Sequence, residues 1–236
     1  MPYDENRVKI LTDKDNKCGY VNASHISATV GESQRFYIAA QGPLANTVHN
    51  FWSMVQECDV HLIVMLTEVS GANKVPRNNE KEKTFIFFYS GQASACIPYW
   101  PQNDGSSLEI GDFTITKKFS SDSGSYTTTT LQLTHTPTKR VRRVWHLQYS
   151  GWQDHGCPED VRQYLAFCEE MGALRRHTVS EVAAGKNNNT PVLVHCSAGV
   201  GRTGVTILVD ILLYCADHNI AIDIPKVGGE DIKNIQ

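Results

Sequence analysis

Apolar positions along this chain fall into short continuous runs, alternating stretches and longer helical patterns. Residues 36–40, 62–66 and 192–194 are continuous apolar runs rich in β-branched side chains, which predicts strands buried on both faces. Residues 113–116, 127–133 and 144–149 alternate apolar and polar, as half-buried antiparallel strands do. Helical spacing predicts helices over residues 47–57, with Asn46 as N-cap, over 159–176, and from 203 to about 217. The last helix carries Val205, Ile207, Leu208, Val209, Ile211, Leu212 and Leu213, and is apolar on nearly every side, the mark of a buried helix. Helices and strands mixed along one chain predict an α/β domain: a central twisted, mixed β-sheet flanked by helices.

Two stretches break the pattern. Residues 72–95 open with a polar, charged run and turn abruptly aromatic at Phe85, Ile86, Phe87, Phe88 and Tyr89, which reads as an atypical insertion. Residues 227–236 have no clear periodicity. The 236 residues otherwise suit one domain with a sizeable core.

Composition narrows the function classes. A net charge of -3 gives no footprint of nucleic-acid binding, so any anion site is local to the fold. No apolar run reaches bilayer length, which argues against membrane insertion, and the N-terminus lacks the regions of a signal peptide. The seven cysteines are odd in number and form no C-x-x-C pair, so neither a disulfide framework nor a zinc site is indicated. The nine histidines likewise form no metal cluster such as H-E-x-x-H. Free thiols fit a reducing, cytoplasmic setting. Oligomeric state is open at this level.

The informative residues are His195, Cys196, Ser197, Ala198, Gly199, Val200, Gly201, Arg202, Thr203 and Gly204, which follow a predicted buried strand and open a helix. A small-residue loop leading into a helix N-terminus turns several backbone N–H groups toward one point, where the helix dipole adds positive potential. Gly199 and Gly201 let the backbone curl where a Cβ would crowd an anion. Cys196 begins the loop, and such surroundings favour thiolate over thiol. Arg202, at the end of a C-x5-R spacing, offers a planar fork for two phosphate oxygens. The hydroxyl of Thr203 can donate to the sulfur and ease its departure in a second step. His195 is expected as a partly buried imidazole bonded to the loop and tuning the thiolate. In-line attack, a phosphocysteine intermediate and hydrolysis by water follow from this set, with no metal or organic cofactor. A Walker-type nucleotide loop is excluded, because G-K-[ST] is absent.

Further motifs carry a resemblance. Residues 20–26, 37–44, 47–52 and 99–101, together with 195–204, resemble the framework and signature motifs of phosphotyrosine-specific, non-receptor protein tyrosine phosphatases. Residues 152–160 and 175–178 are similar to the FERM-containing, Pez-like subgroup. The resemblance implies phosphotyrosine-containing proteins as substrates, with phosphate held by Cys196, Ser197, Ala198, Gly199, Val200, Gly201 and Arg202. It implies Asp154 as the general acid on a mobile loop, serving the tyrosyl leaving group, and Glu68 as the carboxylate that pairs with Arg202. Gln41 and Arg7 read as framework. A FERM domain elsewhere in the full-length protein would add cytoskeletal or junctional association.

The sequence also departs from that family. Gln153 stands where a proline is usual in the mobile loop, which alters the open–closed balance and predicts slower turnover. Family domains begin earlier and continue further, so the resemblance predicts a domain incomplete at both ends. The competing function is a catalytically impaired, phosphatase-like module that binds phosphotyrosine or serves as a scaffold. A dual-specificity phosphatase is a third option, opposed by the long framework match.

Overall fold

The computed structural model describes residues 2–69, 96–153, 156–181 and 187–221. The polar-to-aromatic stretch 72–95 and the C-terminal residues 227–236 therefore lie outside the described residues, as does Asp154.

The strands are β1 (Arg7–Lys9), β2 (Tyr20–Val30), β3 (Ser33–Gln41), β4 (Leu62–Met65), β5 (Ser107–Ile110), β6 (Phe113–Asp122), β7 (Tyr126–His135), β8 (Arg140–Tyr149) and β9 (Val192–Cys196). The helices are α1 (Val48–Glu57), α2 (Val161–Glu181) and α3 (Gly201–Asp217). Among the described residues, nine strands join one sheet in the order β1-β2-β3-β9-β4-β8-β7-β6-β5. Its centre, β3-β9-β4-β8, is parallel, and antiparallel wings extend on both sides. The expected mixed α/β sheet is what forms. The continuous apolar runs are the central strands: every residue of β4 and β9 is buried. Covered on both faces, these strands cannot afford polar alternation.

Side chains sort by face. Ile38, Ala40, Ile63, Met65 and Leu193 point into a core with Phe51, Trp52, Met54 and Val55 of α1. Tyr37, Ala39, Val64, Val192, Val194 and Cys196 point the other way, toward Phe167 and Met171 of α2 and Ile207 and Ile211 of α3. The sheet is thus sandwiched between one helix and two.

Local details differ from expectation. Helix α1 begins one residue later than Asn46 would place it: Thr47 is its N-cap and makes no side-chain cap bond. The Thr47 hydroxyl instead accepts from the Leu44 N–H at 2.9 Å, fixing the turn before the helix. At the other end, half-buried Arg142 donates to the carbonyls of Val55 and Val60, tying β8 to the end of α1 and the turn after it. Helix α3 is not buried all round: Thr206, Ile207, Asp210 and Ile211 are buried, while Leu208, Val209, Leu212 and Leu213 are half-buried and Val205 is exposed.

Candidate active site

Strand β9 ends at Cys196, and α3 begins five residues later at Gly201. The intervening turn stays compact because Gly199 takes φ +80°, a left-handed conformation that suits glycine. A Cβ there would lie 2.4 Å from the carbonyl carbon and oxygen of Ala40 and 2.6 Å from the Gln41 nitrogen. The loop therefore lies directly on the end of β3. A second tie runs from the Gly42 N–H to the Ser197 carbonyl at 3.1 Å. Helix α3 has Val200 as N-cap with no side-chain cap bond, so among the described residues no side chain caps its start.

Within this loop the Gly199 N–H donates to Cys196 Sγ at 3.2 Å. The sulfur is at the floor: Cys196 is 3% exposed, while Ala198, Val200 and Gly201 are exposed at the rim. Arg202 is also buried, and its guanidinium donates to the Trp152 carbonyl at 2.9 Å and to Ser197 Oγ at 3.0 Å. Ser197 Oγ lies 3.2 Å from the Thr67 hydroxyl as well. The loop, the end of β4 and the segment after β8 thus meet around one arginine.

His195 is fully rather than partly buried. Its Nδ1 lies 3.2 Å from the Cys196 carbonyl, and its Nε2 lies 2.7 Å from the Tyr99 hydroxyl. That hydroxyl is also 2.8 Å from His146 Nε2. Because a carbonyl only accepts, His195 carries its proton on Nδ1, and its Nε2 accepts from Tyr99. The Tyr99 oxygen then accepts from His146 Nε2–H. His146 Nδ1, left without a proton, is buried without a partner among the described residues, in keeping with this assignment. Burial pushes His195 down to about 4 and His146 down to about 3, so both rings are neutral near pH 7.

Two expected contacts are not made. Glu68 is exposed and forms no ion pair with Arg202 among the described residues. The guanidinium is held instead by the Trp152 carbonyl and Ser197, on the inner side of the loop. The Thr203 hydroxyl is fully buried but has no hydrogen-bond partner among the described residues, so it does not reach the Cys196 sulfur in this arrangement.

Asp154 and His155 lie outside the described residues, but the flanks of that loop are fixed. The Trp152 indole N–H donates to the Gly156 carbonyl at 2.9 Å, and the Glu159 N–H donates to the Gly151 carbonyl at 3.0 Å. Gln153, in the usual proline position, donates to Glu159 Oε1 at 3.1 Å. The Trp152 ring packs edge-on against Tyr164, whose hydroxyl meets Thr206 of α3 at 2.8 Å.

A buried cysteine receiving an N–H bond at the floor of a strand–loop–helix turn, with a buried arginine beside it, does not by itself name a family. The decision comes from the whole chain: the model of the protein-tyrosine phosphatase family matches residues 1–230. The chain belongs to the protein-tyrosine phosphatase family. Among curated members, it is 44% identical over 231 residues to tyrosine-protein phosphatase non-receptor type 14 of Homo sapiens, covering 96% of this chain and 18% of that protein. It is 44% identical over 229 residues to non-receptor type 21 of Rattus norvegicus, with the same coverage. Receptor-type tyrosine-protein phosphatase zeta of Homo sapiens is 35% identical over 235 residues, 95% of this chain and 9% of that protein. The chain thus spans under a fifth of the length of these two non-receptor relatives. No helix among the described residues is long and apolar enough to cross a membrane.

The sequence led directly to the loop, but not to Tyr99, His146, Thr67 or the Trp152 carbonyl. Tyr99 and His146 come from distant segments and meet His195 only through the sheet order. No local spacing marks them.

Proposed function

We propose that this domain hydrolyses phosphotyrosine in proteins through a phosphocysteine intermediate. Cys196 Sγ attacks phosphorus in line as the bond to the tyrosyl oxygen breaks, and Asp154 gives its proton to that oxygen. Water then attacks the phosphocysteine, the P–S bond breaks, and inorganic phosphate leaves. Arg202 and the N–H groups of residues 197–202 hold the phosphoryl oxygens through both steps. Thr203, whose buried hydroxyl has no partner among the described residues, turns to the sulfur in the second step and serves the departing thiolate. His195 orients the Cys196 carbonyl in its neutral form. Neither metal nor organic cofactor enters the scheme.

The observation that carries this reading is the Gly199 N–H donated to Cys196 Sγ, since a backbone donor at the sulfur stabilises negative charge there. A second reading, phosphotyrosine capture with poor turnover, draws on Arg202 being bonded to protein oxygens and on Gln153 in the loop. The names of the non-receptor relatives support a cytoplasmic setting. Cytoskeletal or junctional association belongs to a FERM domain, should the full-length protein carry one.

Hydrolysis of a small aryl phosphate by the domain and by its Cys196→Ser variant tests the proposal. Turnover blocked by vanadate and lost in the variant is expected. A folded domain that binds aryl phosphate without releasing phosphate would establish the capture reading instead.

A further inference from the structure

Gln41 ends β3 and is the parallel register partner of Cys196. Paired residues on adjacent strands project from the same face of a sheet, with backbones about 4.8 Å apart. The alternation along β3 agrees: Tyr37 and Ala39 share a core with Val192, Val194 and Cys196, whereas Ile38 and Ala40 share the opposite one with Leu193. The Gln41 side chain therefore leaves the sheet beside the Cys196 side chain. The phosphate loop also crosses here, since a Cβ on Gly199 would come within 2.6 Å of the Gln41 nitrogen.

The amide is oriented. Asn22, on neighbouring β2, donates from Nδ2 to Gln41 Oε1 at 2.7 Å. That bond occupies the carbonyl end and leaves the NH2 end to serve a neighbour on the side of the paired Cys196 strand. Gln41 Nε2 has no partner among the described residues, although the side chain is only half-buried. An oriented amide thus presents unused donors next to the sulfur. Donors suit an anionic oxygen, and an amide reaches across one strand spacing without the desolvation cost of a second cation.

We propose that Gln41 is a substrate-contacting residue whose Nε2–H donates to a phosphoryl oxygen at the Cys196 site, with Asn22 as its positioning residue. The proposal rests on the phosphatase reading above and adds to the loop a donor from outside it. It uses one side of a tetrahedral anion that Arg202 does not cover alone. Gln41 acts on ground-state anions and on the phosphocysteine alike, so its loss weakens binding of phosphate and vanadate and raises KM.

The test is competitive inhibition by vanadate and by inorganic phosphate, measured on aryl phosphate hydrolysis by the domain and its Gln41→Met, Gln41→Glu and Asn22→Ala variants. Methionine keeps the length and packing but removes the donors. Loss of one hydrogen bond to a charged group raises both inhibition constants about tenfold or more. Gln41→Glu keeps an acceptor for Asn22 yet aims a carboxylate at the anion, and weakens both further. Asn22→Ala weakens them less than Gln41→Met does. Thermal melting checks that each variant is folded, and Gln41→Glu stands in if Gln41→Met is not. Folded Gln41→Met with unchanged inhibition constants overturns the proposal while leaving the phosphatase reading intact. A wild-type domain that neither turns over aryl phosphate nor binds vanadate overturns the reading beneath it.

Discussion

The Tyr99 hydroxyl is one oxygen holding two buried rings, and removing it gives a sharp expectation. In Tyr99→Phe the aromatic packing against Phe51, Trp52 and Trp100 is kept, so no cavity large enough for water opens. What is lost is the donor to His195 Nε2 and the acceptor for His146 Nε2–H. Each orphaned buried group costs about 1–3 kcal/mol, so with two of them the variant is expected to lose about 2–6 kcal/mol of stability. Urea denaturation reads this as a lower midpoint at unchanged slope, because the surface exposed on unfolding is the same. The nitrogen shifts of the two rings provide a second readout, since the wild type holds His195 as the Nδ1–H tautomer and His146 as the Nε2–H tautomer. In the variant His195 is no longer tied to that form, and its hold on the Cys196 carbonyl weakens. A loss under about 0.5 kcal/mol, with both tautomers unchanged, would refute the idea that Tyr99 sets them.

Two further expectations follow from buried polar groups. Asp210, on α3, accepts from Arg35 at 2.6 Å, from the Tyr37 hydroxyl at 2.5 Å and from Arg175 at 3.0 Å. Asp210→Ala leaves the buried Arg175 and half-buried Arg35 guanidiniums without their carboxylate and is expected to cost about 3–5 kcal/mol by urea denaturation; a near-neutral result would mean the arginines find water. The pH profile comes from His195 and His146, held at about 4 and about 3 against an ordinary 6.5. The unfolded chain takes up protons below about pH 6.5 while the folded rings do not, so stability is full above that pH. It falls toward pH 4 by up to about 1.4 kcal/mol per pH unit for each ring. Ring titration followed by NMR checks it: either histidine protonating near pH 6.5 in the folded state would contradict the burial argument.

The parts of the structure that could be read from the sequence are those whose signal is local. The runs at 36–40, 62–66 and 192–194 are continuous because those strands are covered on both faces, and burial on both faces leaves its mark residue by residue. The phosphate loop is legible for the same reason, since nucleophile, glycines and arginine all lie within one turn. Strand β2 is weaker in the sequence: its buried positions include Ala23, Ser24 and Ala28, too small or polar to register as an apolar alternation. Strands β1 and β5 are too short for any period to show. Glu68 was assigned by its neighbours in sequence, but its side chain faces solvent where β4 ends. Gln41 looked like framework because nothing in one dimension places it beside Cys196; only the pairing of β3 with β9 does.

That pairing also bears on how the domain is made. Strand β9 arrives late in the chain, yet it fills the gap between β3 and β4, bonding to both. Until it is synthesised, those two strands present open edges that can pair with other chains, and the centre of the sheet cannot close. The contacts it completes join segments far apart in sequence, which is the slow kind of folding step. The same strand carries the nucleophile. A nascent chain therefore has no reactive loop while its sheet is open, and the closure that removes the sticky edges is the one that builds the site.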